Sequence, residues 1–211
     1  ALDEIDPEKI GSFLEKDIPE INIVKIGLEI FNLKGKSFLR KTEETLDKEY
    51  FLDLKLHDIP NTVYNAIKSL QGVSPKFLTI HLTGGEEMIQ KALQARDRFL
   101  KSTEIIGVSY LTSLSDNDFD RVWGKKKEDL LQSAAKIAAE TSIDGLVCSP
   151  QDIKLIKPYL KNQKIITPGI RLNNDNLDDQ KRVSSPKQAL SDGSDFLVIG
   201  RPLRNKETKE K

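Results

Sequence analysis

Apolar, strand-like runs alternate with stretches of helical spacing along almost the whole chain, and this constrains the fold more than any single motif. The runs occupy 21–28, 50–56, 76–83, 105–111, 144–149, 165–171 and 195–201. Ile10, Phe13 and Leu14 give a helical stripe ahead of the first run. A second helix is expected after Gly35, through Phe38, Leu39 and Thr45, and a third over 60–70 with Val63, Ala66, Ile67 and Leu70. Gly84-Gly85 opens a helix carrying Met88, Ala92 and Leu93, and 128–141 repeats Leu130, Leu131, Ala134, Ala135, Ile137 and Ala138. Pro150 starts another helix through Ile153, Leu155 and Ile156, and a short one is expected near 186–191. The polar stretch 114–127, with Asp116, Asn117, Asp118 and Trp123, reads as an irregular solvated segment, and 172–183 as a polar loop.

Strand and helix in strict alternation predict a parallel α/β architecture. If Ala1-Leu2-Asp3 is the end of a further strand, the repeat reaches the eightfold pattern of a (β/α)8 TIM barrel. An open doubly wound sheet is the rival, but no Gly-x-Gly-x-x-Gly follows the first strand. The expected organisation is one domain over 1–204 and a frayed polar tail over 205–211. The first strand and the closing helix would be incomplete, because apolar residues before Ala1 and a helix after Leu203 are missing.

The 211 residues suit a single domain with one core. Thirty-three basic residues balance 33 acidic ones, which leaves no electrostatic footprint for nucleic acid or an anionic membrane. No apolar run approaches the roughly 20 residues that span a bilayer. The lone Cys148 rules out an internal disulfide and fits a reducing cytoplasm.

In a barrel, side chains at the C-terminal ends of the strands line one mouth, where active sites sit. Asp3, Lys25, Asp53, Lys55, Thr112, Arg171, Gly200 and Arg201 are polar or glycine positions at or near such ends. The densest group lies in Tyr50-Phe-Leu-Asp53-Leu-Lys55-Leu-His-Asp58-Ile-Pro-Asn-Thr62. Side chains two apart on a strand share a face, so Phe51, Asp53 and Lys55 project together and Leu52, Leu54 and Leu56 oppose them. A charged pair on an otherwise apolar strand is costly to desolvate and, with Asp58 just beyond, favours a site. Gly200-Arg201 suits phosphate, since glycine admits an anion to the backbone N–H and arginine offers a bidentate fork; Gln180 could fold over the same group. Two histidines and one cysteine without ligand spacing make zinc improbable, and His57 reads as a residue that orients neighbours or packs. Asp53 and Asp58 could hold Mg²⁺, but the lysine between them competes.

The stretch Asp53-Leu-Lys55-Leu-His-Asp58-Ile-Pro-Asn-Thr62 resembles the signature of the orotidine 5′-monophosphate decarboxylase family. The similarity runs in order through Ala1-Leu-Asp3, Lys25-Ile-Gly-Leu-Glu-Ile-Phe, His81-Leu-Thr-Gly-Gly, Leu111-Thr112-Ser113, Val147-Cys-Ser-Pro150, Thr167-Pro-Gly-Ile-Arg171, Asp179-Gln180-Lys-Arg-Val and Val198-Ile-Gly-Arg201-Pro. Leu172-Asn173 departs from it, where a proline is usual. The resemblance implies a cytoplasmic homodimeric barrel that converts orotidine 5′-monophosphate to UMP and carbon dioxide, with no metal or cofactor. It implies that Lys55 protonates C6 and that Asp53 lies beside the substrate carboxylate. Asp58 and Thr62 would reach across the dimer interface, completing a Lys25–Asp53–Lys55–Asp58 array. Asp3 and Lys25 would contact the ribose, Thr112 the base, and Arg171, Gln180, Gly200 and Arg201 the phosphate region.

Overall fold

The computed structural model describes residues 1–3, 7–16, 20–45, 48–171, 184–200 and 203. Seven strands among them form one sheet in chain order, every neighbouring pair parallel. They are β1 (Ile23–Gly27), β2 (Glu49–Leu56), β3 (Phe77–His81), β4 (Glu104–Val108), β5 (Gly145–Val147), β6 (Lys164–Thr167) and β7 (Phe196–Leu197). The helices are α1 (Ile10–Lys16), α2 (Leu28–Thr45), α3 (Pro60–Ser69), α4 (Glu86–Phe99), α5 (Asp116–Trp123), α6 (Lys127–Thr141), α7 (Ile153–Ile156) and α8 (Pro186–Asp192). No described helix is long and apolar enough to cross a membrane.

Period-two alternation gives each strand two buried faces. Val24, Ile26, Leu52, Leu54, Leu78, Ile80 and Ile105 pack outward against the apolar stripes of the helices, among them Val63, Ile67, Met88 and Ile89. Phe51, Phe77, Ile106, Val108, Val147 and Ile166 form a second cluster on the other face, joined by Ile23, Phe196 and Val198. Phe77 on β3 and Phe196 on β7 stand four strands apart, yet their ring centroids are 5.1 Å from each other. A flat sheet would hold them about 19 Å apart, so this sheet curls until its inner face packs on itself. The Ala1 ammonium donates to the Ile199 carbonyl at 2.6 Å and the Leu2 N–H to the Lys25 carbonyl at 3.0 Å. Residues 1 and 2 thus lie between β1 and the segment that continues β7. An incomplete first strand therefore finds no confirmation here, and the chain beyond Leu203, including the tail 205–211, lies outside the described residues.

Two expectations need correction. Residues 116–123, read as irregular, form helix α5. Ser115 and Asp118 make a reciprocal capping box, and Phe119 is buried against Tyr110 and Trp123. The polar residues that suggest a solvated loop thus supply the cap and the outer face of an amphipathic turn. Helix α2 begins at Leu28, directly after β1, and Gly35 interrupts it with φ 64° and ψ −165°. The glycine marks a kink within the helical segment, where the sequence suggests its start.

Candidate active site

The polar residues of the inner face are concentrated on β1 to β3, above the apolar cluster. Lys25 Nζ lies 2.9 Å from Asp3 Oδ2 and 3.4 Å from Asp53 Oδ2. Lys55 Nζ lies 2.8 Å from that same Asp53 oxygen. The four side chains make an unbroken row, Asp3–Lys25–Asp53–Lys55, at the C-terminal ends of neighbouring strands. Parallel pairing builds it: Lys25 stands in register with Phe51 and Gly27 with Asp53, so Lys25 and Asp53 project from the same face of adjacent strands, one alternation apart, and β2 runs on past the end of β1 to carry Lys55. A side chain at Gly27 would displace the Asp3 carboxylate, because a Cβ there would come 2.3 Å from Asp3 Oδ1 and 3.1 Å from Lys25 Nζ.

Asp53 is 8% exposed. Burial alone would push its carboxyl up, but the Lys25 and Lys55 ammonium groups, with hydrogen bonds from Lys55 and Thr79, hold it below the usual carboxylate range. A charge at this depth persists only where its partners are fixed, and here they are. Beneath the row lies a cavity of about 100 Å³ walled by Ile23, Phe51, Phe77, Ile166 and Phe196, with Lys25 on one side. This apolar floor keeps the local dielectric low and strengthens each ion pair above it.

Lys55 departs from regular strand geometry. Its φ is 48°, in the left-handed region, at a cost of about 1–2 kcal/mol for a residue with a Cβ. Leu52 pairs with Leu78 and Leu56 with Ile80, so residues 53, 54 and 55 stand opposite Thr79 alone. A bulge of this kind re-aims a side chain next to a site. The Lys55 N–H donates to Thr79 Oγ1 at 2.8 Å, and that hydroxyl donates to Asp53 Oδ1 at 3.0 Å. Next along β3, His81 stacks against His57 with ring centroids 5.0 Å apart. Burial, then His57 and Lys55, bring the His81 imidazole down to about 4 against the pull of Asp53, so it is neutral beside the lysine.

Of the residues expected at the site, Asp3, Lys25, Asp53 and Lys55 are brought together. Asp58 is not joined to them within one chain: it is exposed, and its Oδ1 accepts the Ile59 N–H at 2.7 Å. Thr62 is exposed on the first turn of α3, and Thr112 is half-buried beyond β4. Arg171 follows β6, where its N–H donates to the Ser184 carbonyl at 3.0 Å, and Gly200 follows β7. Arg171 Nη2 is buried without a hydrogen-bond partner, the only such side-chain atom among the described residues. Gln180 and Arg201 lie outside the described residues. Thr79 is not singled out by the sequence, and Gly27 and His81 enter there only within the motifs that carry the resemblance, without a role at the site. Thr79 and His81 fall on the Phe77 face of β3 by alternation, which could have pointed to them.

The family model described as orotidine 5′-phosphate decarboxylase / HUMPS matches residues 1–211. The chain belongs to this family. Among decarboxylase relatives, the orotidine 5′-phosphate decarboxylase of Dictyoglomus thermophilum is 37% identical, the match covering 96% of this chain and 86% of the relative. That of Carboxydothermus hydrogenoformans is 40% identical, covering 96% of this chain and 87% of the relative. The crystal structure of orotidine 5′-phosphate decarboxylase from Lactobacillus acidophilus superposes with a TM-score of 0.80 at 31% identity, over 96% of this chain and 89% of that one.

Proposed function

We propose that this chain is a homodimeric (β/α)8-barrel enzyme that converts orotidine 5′-monophosphate to UMP and carbon dioxide, without metal or organic cofactor. The barrel domain spans 1–204, with residues 1–3 in the place of its first strand. The buried lone Cys148 suits the reducing cytoplasm in which we place it. One observation carries the reading: the row Asp3–Lys25–Asp53–Lys55, alternating in charge over an apolar floor.

Decarboxylation breaks the bond between C6 and the carboxylate carbon and leaves the electron pair on C6. With no electron sink, the protein must supply preorganised positive charge in a site closed to water. Lys55 meets that need. Its ammonium is fixed by Asp53, stabilises the developing carbanion, gives C6 a proton as carbon dioxide leaves, and regains one from solvent. Asp53 lies beside the substrate carboxylate. Its Oδ2 already faces two ammonium groups, whose positive charge opposes a divalent cation at the same place. Asp3 and Lys25 take the ribose hydroxyls and Thr112 faces the base. Arg171, Gln180, Gly200 and Arg201 hold the phosphate; the unsatisfied Nη2 of Arg171 supports this, since a buried orphan donor costs about 1–3 kcal/mol until an anion accepts from it. Binding energy gained there orients the base over Lys55.

The partner subunit's Asp58 and Thr62 complete each site. Their exposure supports this, as do Leu28, Leu33 and Ile59, large apolar side chains 50%, 67% and 67% exposed on the segments that follow β1 and β2.

The test is the loss of ultraviolet absorbance of orotidine 5′-monophosphate, followed with and without chelator. Wild type should turn over equally in both. Lys55→Ala should lose at least about 10²–10⁴-fold in kcat, the range of a positioned proton donor, and more with the charge itself gone. Near-normal turnover by that variant would overturn the mechanism.

A further inference from the structure

The reaction assigns no role to the residue that touches both halves of the central pair. Thr79 sits in the middle of β3 with 0% exposure, so no water can stand in for its hydroxyl. The bulge in β2 is what makes that hydroxyl necessary. With residues 53–55 all opposite Thr79, the β2–β3 ladder offers the Lys55 N–H no carbonyl in register. A buried amide left so would carry the penalty of an unmade hydrogen bond. The side chain of Thr79 replaces the missing acceptor at 2.8 Å.

The direction of each bond is set by the groups involved. A backbone N–H can only donate, so Thr79 Oγ1 accepts from Lys55. An ionised carboxylate can only accept, so the hydroxyl proton goes to Asp53 Oδ1, 3.0 Å away. Asp53 Oδ2 then receives the Lys55 ammonium at 2.8 Å. The chain of bonds closes on itself, from Lys55 backbone to Thr79 to Asp53 and back to the Lys55 side chain.

We propose that Thr79 is a positioning residue of the decarboxylase, whose hydroxyl locks the left-handed backbone of Lys55 to the Asp53 carboxylate and so fixes where the ammonium points. The inference rests on the proposed decarboxylase function. Thr79 touches no substrate atom. It acts through Lys55, by keeping a costly φ occupied, and through Asp53, by taking one carboxylate oxygen so that the other remains for the two lysines. The groups around Asp53 are the ammoniums of Lys25 on β1 and Lys55 on β2, the Thr79 hydroxyl on β3, and the neutral His81 next along that strand.

Thr79→Val keeps the branched shape and removes the hydroxyl; Thr79→Ser keeps the hydroxyl and removes the methyl. Each is measured for kcat, KM, the pH profile of kcat/KM and thermal stability. T79V should lose about 10- to 100-fold in kcat, the effect of one hydrogen bond to a charged group, with KM within about threefold of wild type. Its acid limb should move to higher pH, since Asp53 loses a donor that favours its charged form. T79S should stay within about threefold of wild type in kcat. If T79V does not fold, Thr79→Ala must show the same split between kcat and KM. Unchanged kcat in the hydroxyl-free variants would overturn the proposal, and so would T79S falling as far as T79V, since the hydroxyl would then not restore turnover. An unmoved acid limb would overturn it as well. A wild-type chain that turns over while T79V matches it sinks only the clamp; a wild-type chain with no turnover sinks the functional reading, and the clamp as a device of catalysis with it.

Discussion

At the scale of single residues, the site is a problem of keeping a buried carboxylate charged between two partly exposed ammonium groups. Asp53 is deep enough that its charge depends on its neighbours, and Lys55 holds a backbone angle that needs support. His81 shows the same environment acting in reverse. Buried among strand residues, beside a second imidazole and the Lys55 ammonium, it stays neutral, its folded value about 4 against 6.5 for the free side chain. The linkage therefore has a definite sign. In that interval the unfolded chain binds a proton that the folded chain does not, so stability is whole above the unfolded value and declines as pH falls from 6.5 toward 4. His81→Gln should flatten this part of the curve. Urea midpoints for wild type and variant, measured between about pH 7.5 and pH 4.5, should converge as the pH drops. If the gap between them is constant, His81 already carries a proton in the fold.

At the scale of elements, the sequence shows most where a single segment decides the outcome. Period-two alternation on β2 puts Asp53 beside Lys55, and helical stripes locate α3, α4 and α6, because those patterns need no knowledge of a neighbour. Parallel order then brings the C-terminal ends of the strands to one side of the sheet, which is why Asp3 and Lys25 can be grouped with them. What one segment cannot reveal is its register against the next. The bulge at residues 53–55 exists only in the pairing of β2 with β3, and Thr79 is an ordinary strand residue until that pairing gives its hydroxyl two partners. Helix α5 escapes the sequence for a related reason: its charged residues outweigh its one buried face, and the cap that starts it is a local hydrogen-bond arrangement. That cap can be tested. Ser115→Ala removes the acceptor for the Asp118 N–H and should cost about 1 kcal/mol. Hydrogen exchange should speed up across 116–123 while β1 to β4 keep their protection. Exchange that speeds up equally everywhere would mean that α5 opens only with the whole fold.

At the scale of the molecule, curling the sheet sets the chemistry. It buries Phe51, Phe77 and Phe196 against one another below the mouth and leaves the charged row above them, so one curled sheet supplies both a dry floor and a fixed field. The row runs Asp3–Lys25–Asp53–Lys55 and then stops, because Asp58 of the same chain is turned out to solvent. An acid with no counter-charge among the described residues, beside an exposed Ile59, is what a shared site between two copies would contain, and such a site has a consequence that a self-contained one lacks. Lys55→Ala and Asp58→Ala should each be nearly inactive as purified homodimers. When the two are mixed under conditions that let subunits exchange, half of the dimers at equilibrium are hybrids. In each hybrid, one site carries both substitutions and the other carries neither. About a quarter of all sites are then intact, and activity should recover to roughly that fraction of wild type. Recovery should track the rate of subunit exchange and disappear when the dimers are cross-linked before mixing. If the mixture stays at the level of its inactive parents although hybrids have formed, each chain completes its own site, and Asp58 has no place in the row of the other.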